Sequence, residues 1–502
     1  MSLIKKTYIF LLLLFFAVSA NAATNVILEN SEELSFDKEH GRDYQILRGN
    51  VRFRHENAVM YCDSAYFYDT NNSFDAFGNC RVVQDTMTMV SNTMYYDGNT
   101  RIIKVRGGAV LHNGSMTLTT DWLDFYRDAN YGYYADGGHL VDPQFDIVSK
   151  KGYYYPSSKV SFFKGDVTML SGETKILTDS LKFDQKQNIS SVFGPSTIYH
   201  TDYTIETTHA WTNTVDRYGR LYNHSVLTSK KGDKMTADSI YFSSLTNTVE
   251  MWGDALALDD SSHTGFSGDY AWMQNNPGKG IIVGRACMMD YSNPNDTMFV
   301  HGDTIKYLQS PVDTTKRELY AFHHVKLFSN DMQAKGDSMT YIELDSMIRL
   351  DGNPVLWSDE SQITGDTIKI FTKENKPNWM HVRGNAFVIQ QQAVDCYDQL
   401  NGREAKGYFK NSYLDHLDMI GNAMSLYYAQ DEYNKLIGIN KCEGQMLTIF
   451  LVDKKMDRIK MTPESKGKMY PPGQMSEKEQ KLRGFNWREE ERPLCKEDIF
   501  KW

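Results

Sequence analysis

The sequence predicts an all-β repeat protein, and three observations carry that prediction. Glycines recur at Gly49, Gly78, Gly107, Gly137, Gly165 and Gly194, in successive steps of 29, 29, 30, 28 and 29 residues. The series continues through Gly253, Gly284, Gly352, Gly384 and Gly421, with His224 and His323 standing where a glycine is due. Between the glycines run short β-branched and aromatic stretches in which apolar residues alternate with polar ones, the period of a strand with one buried face. An aspartate column keeps step with the glycine column. About thirteen such units, ending near Met461, form one long stack in which each unit buries its apolar face on its neighbours.

In chain order, residues 1–22 have the form of a secretory signal peptide: Lys5 and Lys6, an apolar run from Tyr8 to Val18, and Ala20-Asn21-Ala22 at the cleavage position. The run is far short of the ~20 residues needed to span a bilayer, so cleavage after Ala22 and export as a soluble protein are expected. No cysteine lies at the cleavage point, which disfavours a lipoprotein. Residues 23–45 are a lead-in, 46–223 a first repeat module, 224–461 a second, and 462–502 a charged tail. Whether the stack is continuous or hinged near residues 224–260 stays open at this level.

The glycine is usually followed by Asn or Asp, as at Gly49-Asn50, Gly78-Asn79, Gly165-Asp166 and Gly384-Asn385. Such pairs tolerate positive φ, which reads as a tight turn between strands. Two and four residues on, apolar side chains recur: Val51 and Phe53, Ala109 and Leu111, Val167 and Met169, Ala386 and Val388. The aspartates Asp63, Asp121, Asp179, Asp238 and Asp366 likewise precede apolar residues at plus two and plus four, among them Phe67, Phe125, Phe183 and Phe242. Another apolar residue comes three positions before the Asp, as at Met60 and Ile176. An offset of minus three followed by plus two cannot keep one face of a regular strand. A bend or bulge is therefore expected at each Asp, the carboxylate accepting backbone N–H bonds freed there. The alternative, a cation-binding ladder, is disfavoured because calcium-binding β-rolls use Gly-rich nonapeptides, not carboxylates about 29 residues apart.

Composition bounds the function. The chain has 502 residues, 41% apolar and 13% aromatic, with a mean hydropathy of −0.51 and a formal charge of −10. Removing residues 1–22 takes away two lysines and no acids, so the charge moves from −10 to −12. An acidic chain with no Lys/Arg-rich stripe argues against nucleic acid and against docking on anionic lipid surfaces. The six cysteines are sparse; Cys62 with Cys80, and Cys396 with Cys442, could meet in an oxidising compartment, and sequence leaves the pairing open. There is no CxxC, HExxH or GxSxG, and no phosphate-cradling glycine loop. No catalytic residue, metal or cofactor is expected.

Two units exceed the period, from about Arg285 to Phe322 and from Gly384 to Ile420. Ser292 to Asp296 and Asn401 to Gly407 are expected to be their surface excursions. In the tail, Ser476 and Glu479 form a capping-box signal for a short helix, and Phe485, Trp487, Phe500 and Trp502 offer aromatic anchors. Folding over the last unit to cover its edge is favoured over docking on a partner.

The motif L-R-G-N-V-x-F … D-S-A-x-F-Y … G-N-C-R-V, from Leu47 to Val82, resembles the OstA-like/LptA-like family of Gram-negative periplasmic lipopolysaccharide-transport proteins. The resemblance covers most of residues 46–461 and is clearest in 46–260. It implies an elongated, twisted β-jellyroll whose two sheets open into a V with an apolar interior for the acyl chains of lipopolysaccharide. The chain departs from small members in having about twice the units, and from the family's outer-membrane members in showing no barrel strands after residue 461; it resembles the long, barrel-less members of Bacteroidetes. The implied partners are lipopolysaccharide or a related lipid, other jellyroll components joined by edge-strand pairing, and head-to-tail copies of itself. The family has no catalytic residues to transfer.

On the residues alone, an open stack would present a groove lined by Phe53, Phe67, Leu111, Phe125, Met169, Phe183, Phe242 and Val388, whereas a closed one would use them as core filling. If each unit adds one or two strand spacings of ~4.8 Å, thirteen units extend about 60–130 Å. A periplasmic, non-enzymatic lipid bridge is the leading reading. A secreted β-solenoid acting on polysaccharide, and a structural surface protein, are the alternatives.

Overall fold

The computed structural model describes residues 24–36, 43–373, 376–410, 413–431, 433, 435–452, 455–463 and 465–502. The signal peptide expected at 1–22 lies outside them. The described chain holds thirty-six strands and three short 3-10 helices, and the strand pairings given by its register are antiparallel.

Each 29-residue repeat is a pair of long strands. Gln45–His55, Ala58–Tyr68, Ser73–Gln84, Met87–Asp97, Ile102–Asn113 and Met116–Tyr126, of 11 or 12 residues each, pair in sequence order. Glycine and aspartate columns therefore alternate, one on odd strands and the other on even ones.

The glycine pairs do not join strands, as a tight turn would; they lie in the middle of them. Register passes from Arg48 opposite Ser64 to Val51 opposite Cys62, so Gly49 and Asn50 together oppose Asp63. Both have positive φ, +76° and +48°, and the two-against-one count makes each such site a β-bulge that bends the strand. The bend expected at each Asp is thus present, and its cause is shared. A Cβ on Gly78, Gly253, Gly352 or Gly384 would collide with Asp63, Asp238, Asp337 or Asp366 on the preceding strand, and one on Gly49 would collide with Glu32 of the lead-in. Asn79 Nδ2 donates to Asp63 at 2.8 Å and Asn385 Nδ2 to Asp366 at 3.1 Å. His224 and His323, where the glycine is replaced, face Asp238 at 3.5 Å and Asp337 at 3.4 Å. At Gly165 the neighbour is Lys150, whose ammonium pairs with Asp166 at 2.5 Å. The remaining column members sit at the same bends: Asp121 lies opposite Gly107 and Gly108, and Asp179 is ordinary contact distance from Gly194.

Because every long strand bends, it contributes half its length to each of two facing layers, and the inward residues of both layers make the core. By packing, the chain divides into two compact units, residues up to Ser171 with Lys182–Lys186, and Gly172–Leu181 with Gln187–Trp502. The 223/224 position falls inside the strand Tyr218–Ser229, at its bulge.

The two long repeats differ in kind. Ser292 to Asn295 form an exposed turn, as expected. Asn401 to Gly407, expected as a surface excursion, lie instead within the strand Cys396–Lys410. The extra length there extends the strands themselves, to 18 residues in Lys376–Ala393 and in Tyr413–Gln430. Small inward residues, Ala405 and Gly407, let this polar stretch pack as a strand.

The tail first pairs along the edge of the last long strand, as expected, and the rest of it crosses the outside of the second unit. After Lys466–Tyr470, which pairs with Leu436–Val452, it runs back across the strands toward Arg285. Met475 and Leu482 join a cluster with Phe387, Ile389, Leu426, Tyr428 and Ile439. The Ser476–Glu479 capping contact forms at 2.7 Å, around a single turn only. Phe485 and Trp487 pack on Tyr397, Phe500 on His301, and Trp502 on His324.

Candidate functional site

The inward residues farthest from the bends form two rows, one per layer. In the first unit one row runs Phe53, Met60, Val82, Met89, Leu111, Leu118, Leu140, Ile147 and Met169 across successive strands. The other includes Phe67, Phe74, Tyr96, Ile103 and Phe125. All are buried, none more than 6% exposed. The rows meet: the rings of Phe53 and Phe74 stack at 4.1 Å, with Phe67 at 5.4 Å from Phe53, so side chains fill this interior. Phe183 is also buried, against Phe145 at 4.4 Å.

A polar bolt closes the rim of that interior. Arg127 donates to Tyr96 Oη at 2.7 Å, Gln84 Oε1 at 2.9 Å and Asn57 Oδ1 at 3.0 Å. His55 lies between the hydroxyls of Tyr96 and Thr24. Burial, and then the Arg127 charge, hold the imidazole below its ordinary pKa. It is therefore a neutral hydrogen-bonding part of the core.

The second unit carries the same rows with a different filling. One passes through Ile205, Leu227, Met235, Ala257, Phe266 and Met288. The other passes through Gly219, Phe242, Val249, Met273, Gly280, Tyr307, Leu319, Tyr341 and Ile348. Here Leu227, Met235, Phe242, Val249, Phe266, Tyr307, Tyr341 and Ile348 are only half-buried. Gly219 and Gly280 stand in the second of these rows, as Gly132 stands beside Phe125 in the first unit, and a Cβ at Gly219 would meet Trp211 O at 2.6 Å and Phe242 at 3.0 Å. Phe266 and Tyr307 touch across the gap, ring centroids 5.4 Å apart. Farther on the rows tighten again at Leu327, Leu356 and Met380, while Val388 is half-buried between Ile363 and Leu400.

Of the eight residues singled out as groove lining, six (Phe53, Phe67, Leu111, Phe125, Met169 and Phe183) are thus buried core, and Phe242 and Val388 are half-buried. Sequence reading missed Leu227, Met235, Phe266, Tyr307, Tyr341 and Ile348 as the companions of Phe242. It also missed the clamps that hold the tail. Gln362 donates from its amide to Asn486 O at 2.7 Å and accepts from Arg488 N at 2.7 Å. Gln399 does the same with Gln480 O and Leu482 N, both at 2.8 Å. Gln333 accepts from Arg492 Nε at 2.8 Å. Their spacing, 29 and then 37 residues, was the available signal, since it follows the local repeat. Nearby, Asp398 accepts from Tyr428 N at 2.8 Å, yet burial pushes its carboxyl up to about 7.

Among the described residues no group of three or more His, Cys, Asp or Glu could hold a metal ion, and no helix is long and apolar enough to cross a membrane. All six cysteines are free thiols; burial pushes Cys62, Cys80 and Cys287 up to about 12.

Residues 23–179 match the family described as OstA-like protein. Residues 146–276 and 295–376 match LptA/(LptD N-terminal domain) LPS transport protein. Among solved structures, the chain is similar to LptH of Pseudomonas aeruginosa, described as the LptA homologous periplasmic component of the conserved lipopolysaccharide transport device. Identity is 15%, the match covers 28% of this chain and 92% of that one, and the TM-score is 0.22. No curated protein matches the chain.

Proposed function

The chain belongs to the OstA/LptA-like family, and from that premise we propose that it is a periplasmic, non-catalytic bridge that carries lipopolysaccharide or a related envelope lipid. The single observation that supports this reading is the run of half-buried apolar side chains inside the second unit, from Leu227 to Ile348. A core that merely stabilised the fold would close over them, as the first unit's does. Each CH₂ moved from water into such an interior gains about 0.8 kcal/mol, so an acyl chain of about twelve carbons gains roughly 9 kcal/mol. Similar side chains repeat from strand to strand, so no position forms a deep trap and a chain can advance. The lead-in strands Ile27–Asn30 and Glu33–Phe36 supply an edge, with Ile27 and Leu34 exposed, for pairing with another jellyroll component or a second copy.

The test is photo-crosslinking in cells, with a photoreactive residue at Phe242 or Phe266, at the sealed position Phe125, and at the outward Lys182. Lipopolysaccharide adducts at Phe242 and Phe266, but not at Lys182, are the expected outcome. Adducts at neither interior position in an exported, folded protein would abandon the lipid reading for a closed solenoid of structural or polysaccharide-binding role.

A further inference from the structure

We propose that a pocket on the outer face of the second unit, lined by Arg349, Lys369 and Arg383, binds a phosphate group, separately from the apolar interior. The pocket has a volume of about 350 Å³ and is completed by Asp366, Thr367 and Gly384. Three adjacent strands build it. Arg349 stands directly opposite Lys369, and Thr367 directly opposite Arg383. Like charges set directly opposite each other across a sheet are destabilising, and here they occur in a chain whose net charge is −10. An anion held between them would relieve the repulsion.

Two further acids flank the lining, Asp351 on Arg349 and Glu404 directly opposite Arg383. Asp351 grips Arg349, its two oxygens 2.6 and 2.9 Å from the guanidinium, which fixes that side chain in place. Thr367 Oγ1 also donates to Asp351, at 2.9 Å. Asp366 accepts from Asn385 at the bend, and Glu404 faces His381 at 3.1 Å. Among the described residues no carboxylate lies within ion-pair distance of Lys369 or Arg383. The lining thus presents three cations against one acid, two of them without a salt-bridge partner. Guanidinium forks bind phosphate oxygens bidentately, and an ammonium adds a point charge. A phosphate, carrying about −1.5 to −2 at neutral pH and three acceptor oxygens, can bridge Lys369 and Arg383, the two cations that have no ion pair of their own. The volume admits a phosphate with an attached sugar, so the group can belong to free phosphate or to a phosphorylated saccharide headgroup.

Isothermal titration of the full mature chain with inorganic phosphate, and separately with glucosamine 1-phosphate, tests the proposal at fixed ionic strength. Saturable binding that weakens about tenfold or more in Lys369→Gln/Arg383→Gln is expected. Tighter binding of the phosphosugar assigns the site to a headgroup, and equal binding assigns it to free phosphate. No saturable heat with either probe up to about 10 mM, or unchanged affinity in a folded double variant, overturns it. Should the double variant not fold, Asp366→Asn decides: removing the one opposing charge must tighten binding severalfold, and unaltered affinity rejects the site. Because the pocket lies outside the interior, lipid crosslinks at Phe242 are unaffected by either result.

Discussion

The first unit is sealed from within, whereas the second is loosely filled within and braced from without. Between Phe53 and Phe125 large inward side chains from both layers meet and a buried Arg127–Tyr96–His55 bolt closes the rim. From Gly219 to Ile348 the same rows contain Gly219, Ala257 and Gly280 and most of their larger side chains are half-buried, and the tail clamps the outer face of the later strands through Gln333, Gln362 and Gln399. Both units use the same bend chemistry. A repeat therefore specifies how strands pair and where they bend, while the side chains at a few inward positions set how tightly the two rows pack, Phe266 and Tyr307 still touching between them. The clamps at Gln362 and Gln399 lie over strands whose inward residues, such as Leu356 and Met380, are themselves tightly buried, so the brace adds an outer layer of contacts to a well-packed stretch.

The largest effect should come from the sealed core. Phe53→Ala removes a ring stacked on Phe74 and should cost about 3–5 kcal/mol, whereas Phe242→Ala, already part-solvated, should cost about 1 kcal/mol. Urea denaturation of the two variants measures the contrast, and equal losses would erase the distinction between the interiors.

A smaller effect is expected at the brace. Asp398 has its folded pKa raised to about 7 from the usual 3.8, so the folded state binds the extra proton between those values. Its contribution is present below the unfolded pKa and is lost as pH rises through about 7, amounting to roughly 4 kcal/mol at most. The melting temperature should fall between about pH 4 and pH 7, and Asp398→Asn should flatten that slope. An unchanged slope in the variant would place the titration elsewhere.

Smaller still is the cost of filling a bend. Gly384→Ala forces a Cβ onto Asp366 at φ +69°, while Gly108→Ala, at φ +78°, meets nothing within 4 Å. The first should lose about 2–3 kcal/mol and the second about 1 kcal/mol. Comparable losses would mean that backbone strain alone, without the Gly–Asp contact, sets the column. The cysteines should show the least: exposed Cys495 should label rapidly with a thiol reagent, with no change in stability, while Cys62, Cys80 and Cys287 stay protected until unfolding.

Much of the fold was legible because its signals are local. The 29-residue period, the inward alternation at Val51 and Phe53, and the offset that breaks face at Asp63 all lie within a few residues of one another, and strand periodicity records them directly. The position of Gly49-Asn50 was less so: positive φ serves a mid-strand bulge as well as a turn, and only the register across to Asp63 separates the two. Asn401 to Gly407 read as loop because polarity alone does not show that Ala405 and Gly407 face inward.

The sequence by itself thus determined an all-β repeat with bends at a paired glycine and aspartate column, because those features arise from backbone sterics and from contacts between neighbouring strands. Only the tertiary structure decided which inward residues are sealed and which stay open. Phe67 and Phe242 occupy the same position in the pattern, four residues after the column aspartates Asp63 and Asp238. They differ in packing: Phe67 is buried beside Phe53, whereas Phe242 is half-buried and lies against Gly219, its neighbour in register. Likewise the route of the tail rests on contacts such as Gln362 with Arg488, 126 residues apart, which no local period encodes.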